Sequence, residues 1–459
     1  MKIMKKHSAY TAMILAALMF TGCGDAASTA ERTEDVALNS AKAEYEYADS
    51  AEASAEASSK AGAAAADFSD DVKMAEEAAD EGEAYLMMDD ATCAEMPLES
   101  APDIADGEEP SLDIEPEPDI NNGAEPFVLT AGEWSDNENW GFFANLVHNG
   151  TIEFPSYGLN PVYRIAVTVT NGGAAVQNQT VQLKADDVLW TAKTDKNGKA
   201  YLFYDESCAG QSMIIETADA DAVTFTAPEK ESGQGGSSVP VLEYTMETSA
   251  ASQTYSETEV CFILDTTGSM GDEITYLQKD FSAIAEEVAA EGVTFSVNFY
   301  RDEGDEYVTR CNPFTDDVKA VQQTLNQEFA DGGGDTPEAV AEILDEVMTK
   351  GDWHDHTNKI AFLIFDAPPH NGTAQADMIR NAIAAAAEQG IHVVPVVASN
   401  AERDTELFGR ALAIMTNGNY VFLTDDSGVG ESHLEPIIGD YDVELLHDII
   451  VRNILEIAA

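Results

Sequence analysis

From residue 258 onward, short and almost wholly apolar runs alternate with amphipathic helical patterns, and that alternation leaves few folds open. The runs fall at 260–264 (VCFIL), 293–300, 360–365, 391–397 and 420–423, with a shorter β-like piece at 307–311. Between and after them lie helical patterns at 274–288, 318–329, 337–348, 374–389, 402–416 and 443–457. Strands with no polar face need cover on both sides. The pattern therefore predicts a doubly wound α/β sheet with helices on each face, over residues 258–459.

In such a sheet a ligand site forms outside the carboxyl ends of the strands, where strand order reverses. Two of the apolar runs end in aspartate, VCFILD at Asp265 and IAFLIFD at Asp366, and neither carboxylate can be buried there without a partner. Thr267 and Ser269 follow Asp265, with Gly268 between them to permit a sharp turn. The stretch ADGGGDTPEAV, residues 330–340, supplies a glycine-rich loop and then Thr336, with Pro337 and Glu338 opening the next helix. Two carboxylates and three hydroxyls, with no Cys or His among them, suit a hard divalent ion, Mg²⁺ or Mn²⁺, and not zinc. Because most of these donors are neutral, the bound ion would stay electron-poor and accept one more carboxylate from outside.

These residues resemble the von Willebrand factor A domain and its metal-ion-dependent adhesion site. That site is written Asp-x-Ser/Thr-x-Ser, then a loop Thr, then an Asp after the fourth strand. Asp265, Thr267 and Ser269 match the first element, Thr336 in GGGDTPE the second, and Asp366 in LIFDAPPH the third. The resemblance implies that the Ser and Thr oxygens of the first element bind the ion directly. It also implies that Thr336 and the two aspartates exchange direct for water-mediated contact, and that the last helix can shift on ligand binding.

The rest of the chain is built differently. The net charge is −62 over 459 residues, which excludes nucleic acid as a partner. The excess is concentrated: residues 24–126 hold 30 Asp and Glu against 4 Lys and Arg, in a background of Ala and Ser, and none of the four tryptophans. A disordered acidic tail over 23–126 is expected. Before it, Lys2, Lys5 and Lys6 precede an apolar run at 9–20 and then Thr21-Gly22-Cys23. That run is too short to span a membrane. It resembles a bacterial lipoprotein signal peptide over 1–22, which implies a lipidated Cys23 and an anchored, extracytoplasmic protein at the cell membrane or surface.

Residues 127–230 read as a small β sandwich with a short leading helix, from the alternation of Ile165, Val167 and Val169 and the turn Asn171-Gly172-Gly173. NGGAAVQNQTVQLKADDVLWTAKTDKNGKAYLF resembles the prealbumin-like, carboxypeptidase-regulatory-type domains. In WSDNENW, residues 134–140, Asp136 and Glu138 are too few for calcium, which takes about six to eight oxygens. A linker follows at 231–257. The polar WHDH, residues 353–356, reads as a solvent-facing loop and not a metal cluster.

Three functions compete. The first is a non-enzymatic protein that binds an acidic side chain of a protein ligand through a divalent ion. The second is an envelope scaffold that uses the same fold without metal. The third arises because DTTGS resembles the phosphorylation motif of P-type ATPases and related aspartyl-phosphate hydrolases, but Thr266 stands where that motif has lysine. No enzymatic activity is expected.

Overall fold

The structure, a computed structural model, describes residues 128–229, 239–334, 336–427 and 432–459. The signal-like segment, Cys23, the acidic tail, Cys93 and the linker residues 231–238 lie outside the described residues. Strand β1 (Thr130–Trp134) and helix α1 (Trp140–His148) come first. Eight short strands follow: β2 (Arg164–Asn171), β3 (Ala174–Ala175), β4 (Thr180–Lys184), β5 (Val188–Lys193), β6 (Lys199–Phe203), β7 (Ser212–Thr217), β8 (Val223–Thr226) and β9 (Leu242–Glu247). The C-terminal part contains β10 (Thr258–Asp265), α2 (Gly271–Glu287), β11 (Val293–Tyr300), β12 (Thr309–Arg310), α3 (Val318–Leu325) and α4 (Val340–Lys350). It continues with β13 (Asn358–Phe365), α5 (Thr373–Gln389), β14 (Ile391–Val397), α6 (Arg403–Thr416), β15 (Tyr420–Leu423), β16 (Glu444–Leu445) and α7 (Leu446–Ala458).

The strands from β10 onward, joined by β1, build one mixed sheet in the order β12-β11-β10-β13-β14-β15-β1-β16. Its centre is parallel, from β11 through β15, while β12 and β1 run antiparallel to their neighbours. All eight residues of β10 are buried, and its side chains alternate between two cores. Val260, Phe262 and Leu264 pack with α2, α3 and α7. Cys261 and Ile263 face the other way, into a core shared with α1, α4, α5 and α6. The chain leaves β10 for β11 on one side and later returns to β13 on the other, so the strand order reverses at β10.

Two boundaries differ from the sequence reading. Residues 130–148 do not belong to the β sandwich: β1 pairs with β15 and β16, and Trp140, Phe143 and Val147 of α1 lie in the core under α4–α6. In TAGEW only Thr130 is β-branched and a glycine interrupts the run, a weak strand signal, and Gly132 is required because any side chain there would overlap the rings of Phe422 and Tyr441. The linker is also shorter than expected, since β9 pairs in parallel with β2. With β9 included, the sheets β3-β2-β6 plus β9 and β5-β4-β7-β8 enclose one core of Ile165, Val167, Leu183, Leu202, Ile215 and Met246. The described cysteines Cys208, Cys261 and Cys311 are free.

The loop 134–140 ties these parts together. Asp136 accepts both Nε and Nη2 of Arg410 on α6 at 2.8 Å, and Arg410 Nη1 also reaches Glu406 at 3.2 Å and the Ile437 carbonyl at 2.8 Å. Arg164 of β2 donates to Asn137 at 2.7 Å and lies 3.7 Å over the Trp140 ring. Asp136 thus serves a buried guanidinium.

Candidate metal site

The carboxyl ends of β10 and β13 bring the two strand-end aspartates into one charged locus. Asp265 is fully buried. Its Oδ1 accepts the Thr267 amide at 2.9 Å and the Thr267 hydroxyl at 2.6 Å, and its Oδ2 has no hydrogen-bond partner. The Tyr300 hydroxyl lies against it without a hydrogen bond of regular geometry. Asp366 is buried, and the hydroxyl of Ser269, itself exposed, bonds to it. Thr336 is exposed and forms no hydrogen bond to the other four. It is carried between Gly333, which packs on Thr267, and Glu338, whose amide donates to the Pro368 carbonyl at 3.0 Å. Gly333 has φ +70°, and a side chain there would crowd Thr267 and Glu338.

Two further carboxylates crowd the locus, and in the sequence nothing separates them from ordinary helix-start acids. Glu338 is buried, with Oε2 unpartnered. Glu273, in the first turn of α2, is buried too: its Oε1 accepts the Ser399 hydroxyl at 2.7 Å and its Oε2 has no partner. On the rim, Asp305 accepts the Gly333 amide at 2.9 Å, and Asp302 holds His370 Nε2 at 2.5 Å. His354 and His356 are exposed, and His354 bonds to Glu259.

Burial and the neighbouring acids push Asp265, Glu338 and Asp366 toward the protonated form. Burial, then the charge of Asp366, raises Asp265 from its ordinary 3.8 to about 7. Burial and the charges of Asp265, Asp302, Asp366 and Asp305 raise Glu338 to about 9. Asp366 is also raised, by burial and by Glu273, against the Ser269 hydrogen bond. Carboxylate oxygens left without donors in a buried, mutually repelling cluster fit a bound cation, which would satisfy them and remove the repulsion. Among the described residues no three His, Cys, Asp or Glu side chains form a metal cage by themselves. The residues read from the sequence as ligands, Asp265, Thr267, Ser269, Thr336 and Asp366, include only two carboxylates and so make a mixed donor set.

A pH dependence follows. The folded state binds protons at Asp265 and Glu338 more tightly than the unfolded chain, so that stabilisation is complete below the ordinary carboxylate range and is lost as pH rises, through about 7 for Asp265 and about 9 for Glu338. In chelator, the melting temperature of wild type should fall relative to Asp265→Asn between pH 5 and 8. Parallel profiles for the two proteins would contradict the assignment.

Residues 259–431 match the family model of the von Willebrand factor A domain. That segment is a von Willebrand factor A domain, and it holds strands β10 to β15 of the mixed α/β sheet. Among curated proteins the chain is 26% identical over 210 residues to an ariadne-like RING finger protein of Acanthamoeba polyphaga mimivirus, a match covering 41% of this chain. The chain spans 20% of that protein's length. Among solved structures, the conserved hypothetical protein BatB from Bacteroides thetaiotaomicron aligns at 17% identity and a TM-score of 0.32, covering 44% of this chain and 98% of that one.

Proposed function

We propose that this protein is a membrane-anchored, extracytoplasmic, non-enzymatic binding protein that takes hold of a protein ligand through a divalent cation. Asp265, Thr267, Ser269, Thr336 and Asp366 hold Mg²⁺ or Mn²⁺, and an acidic side chain of the ligand completes its coordination. The single observation carrying this reading is the buried Asp265–Asp366 pair with Oδ2 of Asp265 unpartnered, set beside the hydroxyls of Thr267 and Ser269 at the strand-reversal point. The von Willebrand factor A domain points the same way, to adhesion-type protein binding. When bound, the cation supplies a positive centre for an incoming carboxylate. The protein's own residues position it: Thr267 orients Asp265, Ser269 orients Asp366, and the glycine loop sets Thr336. The phosphohydrolase reading lacks a stabilising lysine, and Thr266 is committed to the Tyr300 carbonyl at 2.9 Å and the Tyr307 hydroxyl at 2.6 Å.

Capture of ligand from envelope extract with millimolar Mg²⁺, followed by chelator, tests this reading. Release by chelator and failure of Asp366→Ala to capture are expected. Binding that survives chelation would favour the metal-independent scaffold. Among the described residues no helix is long and apolar enough to cross a membrane. The anchor is assigned to Cys23, so Cys23→Ala should move the protein from the membrane to the soluble fraction with the domains still folded. Unchanged membrane retention would overturn the anchor.

A further inference from the structure

At the opposite end of the central sheet from Asp265, a cavity of about 350 Å³ lies between the β sandwich and the A domain. That volume is within the range of small-molecule pockets. Four lysines line it, Lys193, Lys196 and Lys199 from the sandwich and Lys359 from β13, in a chain with only 23 Lys and Arg against 85 Asp and Glu. Two of the four are engaged: Lys196 donates to the Glu456 carbonyl at 2.8 Å, and Lys199 pairs with Glu138 at 3.8 Å.

Lys193 and Lys359 are not engaged in this way. Lys359 is 4% exposed, and its ammonium, with three donors, meets one acceptor, the Thr357 carbonyl at 3.3 Å. Among the described residues neither lysine has a carboxylate at ion-pairing distance. Asp355 acts on both from farther away, with Glu259 on Lys359 and Glu388 on Lys193. Glu259 is itself bonded to His354 and Thr357. Burial and the charge of Lys193 lower Lys359 to about 8, and burial lowers Lys193 as well. Of the four carboxylates of the cavity wall, Glu138 pairs with Lys199, Glu456 is exposed, and Glu133 and Asp195 have other partners. Glu133 takes Arg452 and Asn453 at 2.6 Å each, and Asp195 accepts the amides of Asn197 and Lys199. The stem of Lys193 lies across Gly390 at the end of α5, where φ is +72° and an added Cβ would come within 3.1 Å of the lysine Cδ.

In a chain this rich in carboxylates, the buried Lys359 and the half-buried Lys193 line one cavity with no carboxylate at ion-pairing distance. Buried charges persist only when something compensates them. We propose that the cavity is a second binding site, for a small dianionic oxyanion such as a phosphomonoester or a dicarboxylate, held between Lys193 of the sandwich and Lys359 of the sheet. The ligand would bridge the two domains. The site is independent of the cation site.

The test is thermal melting of the full chain, free of divalent ions, with inorganic phosphate, succinate, or sodium chloride at matched ionic strength. One of the dianions is expected to raise the melting temperature on the order of 5 °C at roughly a hundred times its Kd, and chloride is not. The larger response distinguishes phosphate from dicarboxylate. Lys359→Met should melt at the same temperature or higher without anion and lose the rise. Lys193→Gln should weaken the response at least about tenfold in midpoint concentration, and the exposed Lys319→Met should keep it. The proposal is overturned if neither dianion exceeds chloride, or if Lys359→Met and Lys193→Gln both respond as wild type does.

Discussion

In chelator, Asp265→Asn is expected to melt at or slightly above the temperature of wild type, and in millimolar Mg²⁺ to lose most of the rise that wild type shows. The two effects have opposite signs because the same carboxylate is costly without a cation and necessary with one. Oδ1 of Asp265 accepts two hydrogen bonds that an asparagine oxygen can keep, while the unpartnered Oδ2 becomes a neutral amide. Repulsion from Asp366 then falls. Ion binding contributes RT ln(1 + [L]/Kd), about 2.7 kcal/mol at roughly a hundred times Kd, and the variant forfeits most of it. Glu286→Gln, exposed on α2 beyond the site, should retain the full rise.

The largest loss of stability is expected from Asp136→Ala. Arg410 is fully buried and Asp136 nearly so, joined by two bonds of 2.8 Å, and the truncation leaves a guanidinium that Glu406 and the Ile437 carbonyl only partly satisfy. Removing one partner of a buried pair costs about 3–5 kcal/mol, whereas replacing both by apolar groups is often near neutral. Urea unfolding should therefore show Asp136→Ala well below wild type and Asp136→Ala with Arg410→Met partly recovered. A loss under about 1 kcal/mol, the scale of an exposed pair, would contradict the buried network.

The central strands were legible because burial on both faces leaves an unbroken apolar signature, as in VCFIL and IAFLIF. Asp265 and Asp366 stood out because a carboxylate closing such a run is chemically anomalous. β1 was not legible: its pairing partner β15 is nearly three hundred residues away, and Gly132 is there to fit Phe422 and not to favour a strand. β9 was hidden in a linker of ordinary composition, since pairing with β2 is a tertiary event. Glu273 and Glu338 read as acids at helix starts, which are common for dipole reasons alone. Only the fold shows that both are buried against the aspartates. Lys359 likewise reads as the polar start of a strand, and its burial against the sandwich depends on how the two domains pack.

The most direct measurement is a Mn²⁺-soaked crystal examined by anomalous scattering. A single strong peak is expected at the carboxyl ends of β10 and β13, with the hydroxyls of Thr267 and Ser269 at about 2.1 Å and Asp265, Thr336 and Asp366 bound directly or through water. No peak there at millimolar Mn²⁺, or a peak confined to Asp302 and Asp305 on the rim, would contradict the cation site.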